Sequence, residues 1–274
     1  MTGREGADPF RRRFGHPCRD WPSNRGKGDA VRLSDAIDVE AGTAGGQFSQ
    51  RPARWRLAYL TNCYPAISHS FIRNEIQAVE RQGADVLRIT VRRSGTDAVD
   101  PADRREARST VALLENRWAL ARAAVVRLAI SPWRFVATLR LALAERQHGW
   151  LRPVAYFVEA CRLAEILQAA GIAHVHVHFG TNPATVARLA SKLAPLTYSM
   201  TVHGPDEFDA VAAIRLREKI ADARLVVAIS DYGRSQLLRW ADAVDRPKIQ
   251  VVRCGVGPTF RADNGADPQG PGSR

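Results

Sequence analysis

The chain has 274 residues, of which 45% are hydrophobic, and it carries a formal net charge of +12. This length supports one large or two small globular domains, and no segment approaches the ~20 consecutive apolar residues of a membrane-spanning helix. Residues 1–30 lack the apolar stretch of a signal peptide, and the four cysteines are scattered without a CxxC pair. We therefore expect a cytoplasmic protein without a cysteine zinc site.

The positive charge is almost entirely arginine, because only four of the basic residues are lysines. A surplus of this size raises nucleic-acid binding as an alternative function. No zinc finger, helix-turn-helix or aromatic-rich basic strand accompanies it, however, so no nucleic-acid partner is expected. Recognition of anionic lipid or phosphate, or a simple solvated surface, accounts better for the arginines.

The two ends of the chain lack the patterns of folded segments. Residues 1–53 have no sustained periodicity and are rich in Gly, Pro and Arg, so we predict that they are disordered or an over-extended gene start. A single folded domain is predicted over residues 54–260. Residues 261–274 are predicted to form a disordered tail.

A strand, a polar loop, an amphipathic helix and a second strand follow one another near the start of the folded part. A short apolar run predicts a buried strand at 57–62, and a β-branched run predicts another at 85–92. Ser68 is placed to cap the intervening helix, and Gly83 to end it. The apolar residues at helical spacing are Phe71, Ile72, Ile76 and Val79.

The loop between the first strand and this helix is a candidate substrate-binding segment. Open α/β sheets bind ligands where parallel strands end and helices begin. The loop runs from Thr61 to Ser70, and its candidate substrate-binding residues are Asn62, Tyr64 and Ser68.

Four further strands are predicted, at 173–178, 197–202, 224–229 and 249–253. Their alternation with helices predicts an α/β fold, a Rossmann-like, mostly parallel sheet with helices on both faces. A long helical insertion at about 103–170, interrupted near Pro132 and Pro153, separates the second predicted strand from the third.

The insertion combines recurrent arginines with Trp118, Trp133 and Trp150. A basic amphipathic helix with tryptophan can lie on an anionic membrane, so residues 103–152 are a candidate for peripheral membrane contact. The alternative is a helical cap that packs on the sheet and turns its arginines to water.

Three histidines, His174, His176 and His178, alternate along one predicted strand and therefore project from one face. Three such imidazoles could bind zinc or copper. Histidines on a buried strand are more often held by hydrogen bonds, so we expect no metal. His178, nearest the carboxyl end of the strand, is kept as a substrate-binding candidate.

His203, Gly204 and Asp206 directly follow the next predicted strand, where a ligand would lie. The glycine would allow close approach of the backbone. The alternative is a turn in which Asp206 caps the following helix. Ser230 is interpreted as a helix N-cap and Glu75 as a residue that could equally face solvent, and neither is assigned a catalytic role.

Several segments, in this order, resemble the family-4 glycosyltransferases. They are Y-P-x-x-S-x-x-F-I-x-x-E-I from Tyr64, H-V-H-V-H-F-G at His174–Gly180, Y-S-M-T-V-H-G-P-D at Tyr198–Asp206, A-D-A-R-L-V-V-A-I-S-D-Y at Ala221–Tyr232, and K-I-Q-V-V-R-C-G-V at Lys248–Val256. The similar branch is the colanic-acid type, which builds bacterial exopolysaccharide and lipopolysaccharide.

The resemblance implies that residues 54–260 are the N-terminal, acceptor-side half of a retaining enzyme with the GT-B fold. Such enzymes transfer a sugar from a nucleotide-sugar to a lipid-linked or oligosaccharide acceptor, with no metal and no cofactor besides the donor. The implied setting is the cytoplasm, at the inner face of the membrane. His203 is the implied catalytic residue, and the implied substrate-binding residues are Asn62, Tyr64, Ser68, His178, Gly204 and Asp206.

The family's second domain, which grips the nucleotide-sugar, is not recognised after Phe260. Without groups that stabilise the departing diphosphate, we expect little or no transferase activity from this chain alone. A non-catalytic glycan-binding or partner-dependent half-domain is the first alternative, and a basic nucleic-acid-binding protein is the second. A metal hydrolase that uses the alternating histidines comes last.

Overall fold

A seven-stranded sheet forms the centre of the part of the chain that the computed structural model describes, residues 55–93, 100–144 and 149–255. Its strands are β1 (Arg56–Cys63), β2 (Asp85–Arg92), β3 (Thr110–Ala112), β4 (His174–His178), β5 (Thr197–Val202), β6 (Leu225–Ala228) and β7 (Ile249–Val251). They lie in the order β3-β2-β1-β4-β5-β6-β7, and each neighbouring pair is parallel. The predicted α/β class is confirmed.

Helices connect these strands. They are α1 (Ser70–Arg81), α2 (Pro101–Ser109), α3 (Arg117–Ile130), α4 (Pro132–Ala144), α5 (Leu151–Ala169), α6 (Asn182–Leu193), α7 (Pro205–Asp209), α8 (Val211–Ile214), α9 (Leu216–Asp222) and α10 (Asp231–Trp240). Short 3₁₀ turns lie at Ile67–His69, Leu113–Glu115 and Ala243–Lys248.

Both faces of the sheet are covered, as the alternation of β1 requires. Leu57 and Tyr59 point to one face, where they pack against Ile72, Ile76 and Val79 of α1. The intervening Ala58 and Leu60 point to the other face and join a larger core that includes buried residues of α5 and α6. A strand buried on both sides reads as a nearly continuous apolar run, which is what made β1 recognisable in the sequence.

The predicted helical insertion at 103–170 is wrong in one respect, because it contains the edge strand β3. Thr110 pairs with Arg88 of β2, and Ala112 pairs with Thr90. Three residues are too few to show a period of two, so no sequence pattern marked this strand. Pro132 begins α4 as predicted, whereas Pro153 does not interrupt a helix, because it lies in the first turn of α5, where proline is tolerated.

Ser68 does not cap the first helix. It is exposed within the 3₁₀ turn that precedes α1, and α1 itself begins at Ser70. His69 takes the capping position, and its Nδ1 lies 3.0 Å from the carbonyl oxygen of Cys63 at the end of β1. Gly83 follows the helix with a φ of +99°, as predicted for a residue that ends it.

The predictions for residues 1–53 and 261–274 lie outside the described residues. Among residues 55–93, 100–144 and 149–255, none of the helices combines the length and the hydrophobicity that a membrane span requires.

The strand order places a topological switch point between β1 and β4. The chain runs from β1 outward to β2 and β3, and then crosses back to place β4 on the other side of β1. In open parallel sheets, ligands bind in the crevice outside the carboxyl ends of the strands at such a point. The residues that end β1, β4 and β5 are therefore the first place to look for a site.

Candidate functional site

Two of the predicted site residues meet at this edge of the sheet. His178 is the last residue of β4 and is fully buried, while His203 follows β5 and is partly exposed. His178 Nδ1 lies 3.1 Å from His203 Nε2, so one ring donates a hydrogen bond and the other accepts it.

Glu75 of α1 completes the group, although no catalytic role was expected for it from the sequence. Its Oε1 accepts a hydrogen bond of 2.9 Å from the Tyr59 hydroxyl and lies 3.6 Å from His178 Nε2 and 3.8 Å from His176 Nε2. We refer to Glu75, His176, His178 and His203 as the histidine cluster. One feature of the sequence could have identified Glu75 as a site residue: it lies three residues after Ile72, on the face of α1 that packs on the sheet.

A ladder of hydroxyl groups on β5 holds the histidines of β4. His176 pairs in register with Ser199 across the two strands, and the alternate residues on that face also pair. His176 Nδ1 lies 2.7 Å from Ser199 Oγ, and its Nε2 lies 2.9 Å from Thr201 Oγ1. His174 contacts Thr197 and Ser199 in the same way but stands at the far end of the strand, outside the cluster.

Aromatic rings flank His203. The ring centroid of Phe179 lies 4.5 Å from that of His203, and the ring of Phe71 from α1 lies 5.0 Å away. Phe179 adopts a φ of +73°, which is uncommon for a residue with a side chain and marks a backbone held by its surroundings. The partly exposed imidazole of His203 is thus set between apolar rings.

A buried carboxylate fixes the two loops that carry these residues. Glu207 of α7 is 3% exposed and accepts hydrogen bonds from the backbone N–H groups of Gly180, His203 and Gly204. One side chain therefore joins the loop after β4 to the loop after β5. A Cβ at Gly180 would lie 3.0 Å from Glu207 Oε1, which explains the glycine there.

A buried lysine supports the same loop from its carbonyl side. Lys219 of α9 is 1% exposed, and its Nζ donates to the carbonyl oxygens of Gly180 and Thr181 at 2.8 Å each. Neither Glu207 nor Lys219 was predicted as a site residue from the sequence. Glu207 had a signal, since Gly204-Pro205-Asp206-Glu207 has the glutamate at the third helical position, from which it can reach back to the start of the helix.

Burial keeps His176 and His203 neutral at pH 7. Desolvation, reinforced by the nearby His178, lowers the pKa of His176 and of His203 to about 3 in each case. Burial alone would raise the pKa of Glu75, but the electrostatic influence of the nearby His178 and His176 rings and the hydrogen bond from Tyr59 outweigh it and bring the pKa to about 2. A carboxylate anion therefore lies near the neutral ring of His176, and the neutral, partly exposed ring of His203 is the one open to a ligand.

The other predicted substrate-binding residues are spread around this cluster. Asn62 is partly buried, and its Oδ1 has no hydrogen-bond partner among the described residues. Tyr64 is buried, and its hydroxyl donates to Glu106 at 2.9 Å, so this side chain is engaged in the core. Ser68 and Asp206 are exposed.

Gly204 and Asp206 have different positions in the turn after β5. Gly204 is the N-cap of α7, and Asp206 lies within the helix, so the alternative in which Asp206 caps it is wrong. Ser230 caps α10 as predicted, because its Oγ accepts a hydrogen bond from the N–H of Gly233 at 3.0 Å.

No family model matches the chain, and no curated protein sequence matches it. Among solved structures, it is similar to an α,α-trehalose 6-phosphate synthase from Burkholderia multivorans, with 14% sequence identity and a TM-score of 0.38. The match covers 69% of this chain and 42% of the synthase, so this chain spans less than half the length of the synthase. The fold class of this protein therefore rests on its own strand order, and the family-4 resemblance stays a prediction.

The Glu207 carboxylate should be essential to the stability of these loops. Replacing it by Glu207→Gln removes the charge and turns an amide donor toward backbone donors, so we expect the free energy of unfolding to fall by about 2–4 kcal/mol. Urea denaturation measures this. The control is Glu218→Gln, which removes a half-exposed carboxylate paired with Arg215 and should cost less than about 1 kcal/mol. Equal stability of Glu207→Gln and the unmodified chain would contradict this role.

Folding should become less favourable as the pH falls from 7 to 5. The folded state lowers the pKa of four histidines, His69, His174, His176 and His203, to about 3 or 4, mainly by burial. The unfolded chain protonates them below about pH 6.5 and thereby gains stability relative to the fold. Burial raises the pKa of Glu159 to about 7 and of Glu207 to about 6, and these two groups act in the opposite direction.

Because four histidines oppose two carboxyl groups, the unfolded state at pH 5 binds roughly two more protons than the folded state. The free energy of unfolding should therefore fall by up to about 3 kcal/mol per pH unit. Urea midpoints measured at pH 7, 6 and 5 should decrease steadily. A midpoint that stays constant or rises over this range would show that the histidines are not buried as neutral groups.

Proposed function

We propose that this chain supplies the acceptor-side half of a retaining GT-B glycosyltransferase of the family-4 type. In this proposal it acts in bacterial cell-surface polysaccharide synthesis, where a sugar passes from a nucleotide-sugar to a lipid-linked or oligosaccharide acceptor. The observation that carries the proposal is the position of His203. A partly exposed, neutral imidazole lies beside a carboxylate-supported histidine at the switch point of a parallel sheet.

The contacts of the cluster suggest how His203 would act. The Glu75 anion near His178 Nε2 favours a proton on that nitrogen, so that His178 Nδ1 accepts from the Nε2–H of His203. This tautomer leaves His203 Nδ1 as a hydrogen-bond acceptor. It can then hold a sugar hydroxyl, while the rings of Phe71 and Phe179 exclude water from one side. Glu75 and His178 are positioning residues in this scheme.

Donor binding is assigned to a second Rossmann-like domain, in the same or another polypeptide. The basic groups that would neutralise the departing diphosphate belong to that domain in the proposal. The described half alone would bind acceptor but transfer sugar slowly or not at all, since the charge that develops in the transition state would lack its main stabilisation. No metal or cofactor besides the nucleotide-sugar takes part in the proposed transfer.

The arginines offer little support for a nucleic-acid-binding function. At least ten of the described arginines make ion pairs with carboxylates of the same chain: Arg56, Arg73, Arg88, Arg93, Arg122, Arg162, Arg188, Arg215, Arg217 and Arg253. Guanidinium groups engaged in this way are less available to phosphates than an unopposed basic stripe would be. The proposal therefore includes no nucleic-acid partner.

Acceptor binding by the purified chain tests the proposed function. Saturation-transfer NMR against a panel of bacterial surface oligosaccharides should detect binding, and His203→Ala should weaken it about tenfold or more through loss of a hydrogen bond. The matched control is His174→Ala at the far end of β4, which should leave binding unchanged.

Equal loss in both variants, or no glycan binding, would contradict the proposal. Binding of DNA with a steep salt dependence, unaffected by His203→Ala, would favour the nucleic-acid alternative instead. Sugar transfer should appear only when a donor-binding domain is supplied. Transfer by this chain alone would overturn the assignment of the donor site.

We further propose that helices α3 and α4 rest on an anionic membrane. Helix α3 reverses the usual distribution of polar and apolar side chains in a globular protein. It buries Arg127 and exposes Trp118 (74%), Val125 (66%) and Ile130 (67%). Large exposed apolar side chains grouped on one element indicate an interaction surface. Trp133 at the start of α4 is 79% exposed.

The charges of these helices favour lipid over a protein partner. Neither α3 nor α4 contains an Asp or Glu, while exposed arginines occur on both: Arg117, Arg134 and Arg140. Tryptophan and arginine together suit the interface of a membrane that contains anionic lipid, where each basic residue adds roughly 1 kcal/mol. This setting would bring a lipid-linked acceptor close to the protein.

Vesicle co-sedimentation tests the membrane surface. The chain should bind vesicles with about 30 mol% anionic lipid more tightly than neutral vesicles, and the double substitution Trp118→Ser, Val125→Ser should reduce binding about tenfold. The control is Trp240→Ser on α10, which removes an exposed tryptophan elsewhere. Absence of vesicle binding, equal loss in the control, or a dimer that dissociates on the same double substitution would each refute the lipid assignment.

A further inference from the structure

We propose that Glu75, His176 and His178 form a binding site for a divalent transition-metal ion of the zinc type. This goes beyond the proposed transferase function, which needs no metal, and it departs from the expectation that the strand histidines bind none. The three residues come from β4 and from α1, so the site is not the set of three alternating histidines that the sequence displays.

The strongest observation is the Nε2 atom of His178. The His178 side chain is fully buried, and this nitrogen has no hydrogen-bond partner among the described residues. It faces Glu75 Oε1 at 3.6 Å, which is too long for a hydrogen bond. A buried polar atom without a partner costs about 1–3 kcal/mol, so its presence calls for a ligand.

The donor atoms have the spacing of a coordination site. Glu75 Oε1 lies 3.6 Å from His178 Nε2 and 3.8 Å from His176 Nε2, and the three atoms lie within 4.8 Å of one another. Ligands about 2.0–2.1 Å from a tetrahedral zinc ion are separated by roughly 3.3 Å. Side-chain shifts of an ångström or less would therefore bring all three onto one ion.

Neighbouring groups already orient each ligand. His176 Nδ1 contacts Ser199 Oγ at 2.7 Å, His178 Nδ1 contacts His203, and the Tyr59 hydroxyl donates to the Glu75 carboxylate. Partners of this kind fix the ring orientation and tautomer of metal-binding histidines. Their presence on all three residues distinguishes this cluster from an incidental grouping of side chains.

The chemistry of the donor set selects the class of metal. Two neutral imidazoles and one carboxylate suit zinc, cobalt or iron(II), and they leave a coordination position open. Binding would displace the hydrogen bond between His176 Nε2 and the Thr201 hydroxyl, which can rotate away. Because the Glu75 side chain is 30% exposed, it offers the path of entry from solvent.

Metal binding would also reverse the hydrogen bond to His203. An ion on His178 Nε2 requires the proton of that ring to be on Nδ1, which then donates to His203 Nε2. His203 would carry its own proton on Nδ1 and would present a donor where the metal-free protein presents an acceptor. Metal occupancy would therefore change the hydrogen bond between His203 and a sugar hydroxyl: the ring would donate to the hydroxyl oxygen instead of accepting the hydroxyl proton.

Metal titration of the full chain without an affinity tag tests the proposal. After treatment with a chelator and dialysis, Zn²⁺ followed by calorimetry should bind with a stoichiometry of about one ion per chain and raise the melting temperature. Co²⁺ should produce visible absorption bands of tetrahedral or five-coordinate geometry. Glu75→Gln keeps the volume and the Tyr59 hydrogen bond, so it should fold, yet it should weaken Zn²⁺ binding by about 100-fold or more.

His178→Ala should abolish binding, whereas His174→Ala on the same strand should retain it within about twofold, since His174 lies outside the donor set. Failure of the unmodified chain to bind Zn²⁺ or Co²⁺ at this stoichiometry overturns the proposal. Undiminished binding by Glu75→Gln, or equal loss in His174→Ala, overturns it as well. None of these results depends on transferase activity.

Discussion

The Glu207 carboxylate is the interaction on which the rest of the site depends. It accepts backbone hydrogen bonds from the loop after β4 and from the loop after β5, and so it sets the separation between His178 and His203. An isolated buried carboxylate is strongly unfavourable, and three backbone donors together with the charge of Lys219 are what make this one tolerable. The loops are consequently held by charge-assisted bonds, which are stronger than the contacts of ordinary surface loops.

The histidines of β4 have two different environments within five residues. His174 and His176 satisfy both ring nitrogens on hydroxyl groups of β5, which is how a parallel sheet accommodates buried imidazoles. His178 lies one step further along, where its outer nitrogen has no hydrogen-bond partner among the described residues and faces Glu75. The histidine cluster thus forms at the carboxyl end of β4, where the hydrogen bonds between histidines of β4 and hydroxyl groups of β5 end.

Two surfaces of the protein depart from the usual distribution of polar and apolar groups, and they do so in opposite directions. The end of the sheet buries charged and polar side chains, whereas α3 exposes tryptophan and aliphatic residues and buries an arginine. Such departures reduce stability unless a partner compensates them. A ligand at the first surface and a lipid interface at the second provide that compensation in the functions proposed above.

The sequence by itself determined most of the sheet. Apolar runs and period-two alternation are local signals, and they gave β1, β2, β4, β5, β6 and β7 to within about two residues. Gly83 and Ser230 were recognisable for the same reason, since a helix end or cap depends only on neighbouring residues. His178 and His203 could be selected because each follows a recognisable strand.

The tertiary structure decided the contacts between elements. β3 is three residues long and is defined only by its pairing with β2, so no local pattern could reveal it. From the sequence, Glu75 could equally face solvent, and only the packing of α1 brings it against His178 of β4. Tyr64 is likewise a core residue, because it packs in the cluster of Leu57 and Ile72 and its hydroxyl donates to Glu106. Periodicity records which face of an element is buried, but the identity of the groups that meet there depends on how the whole chain folds.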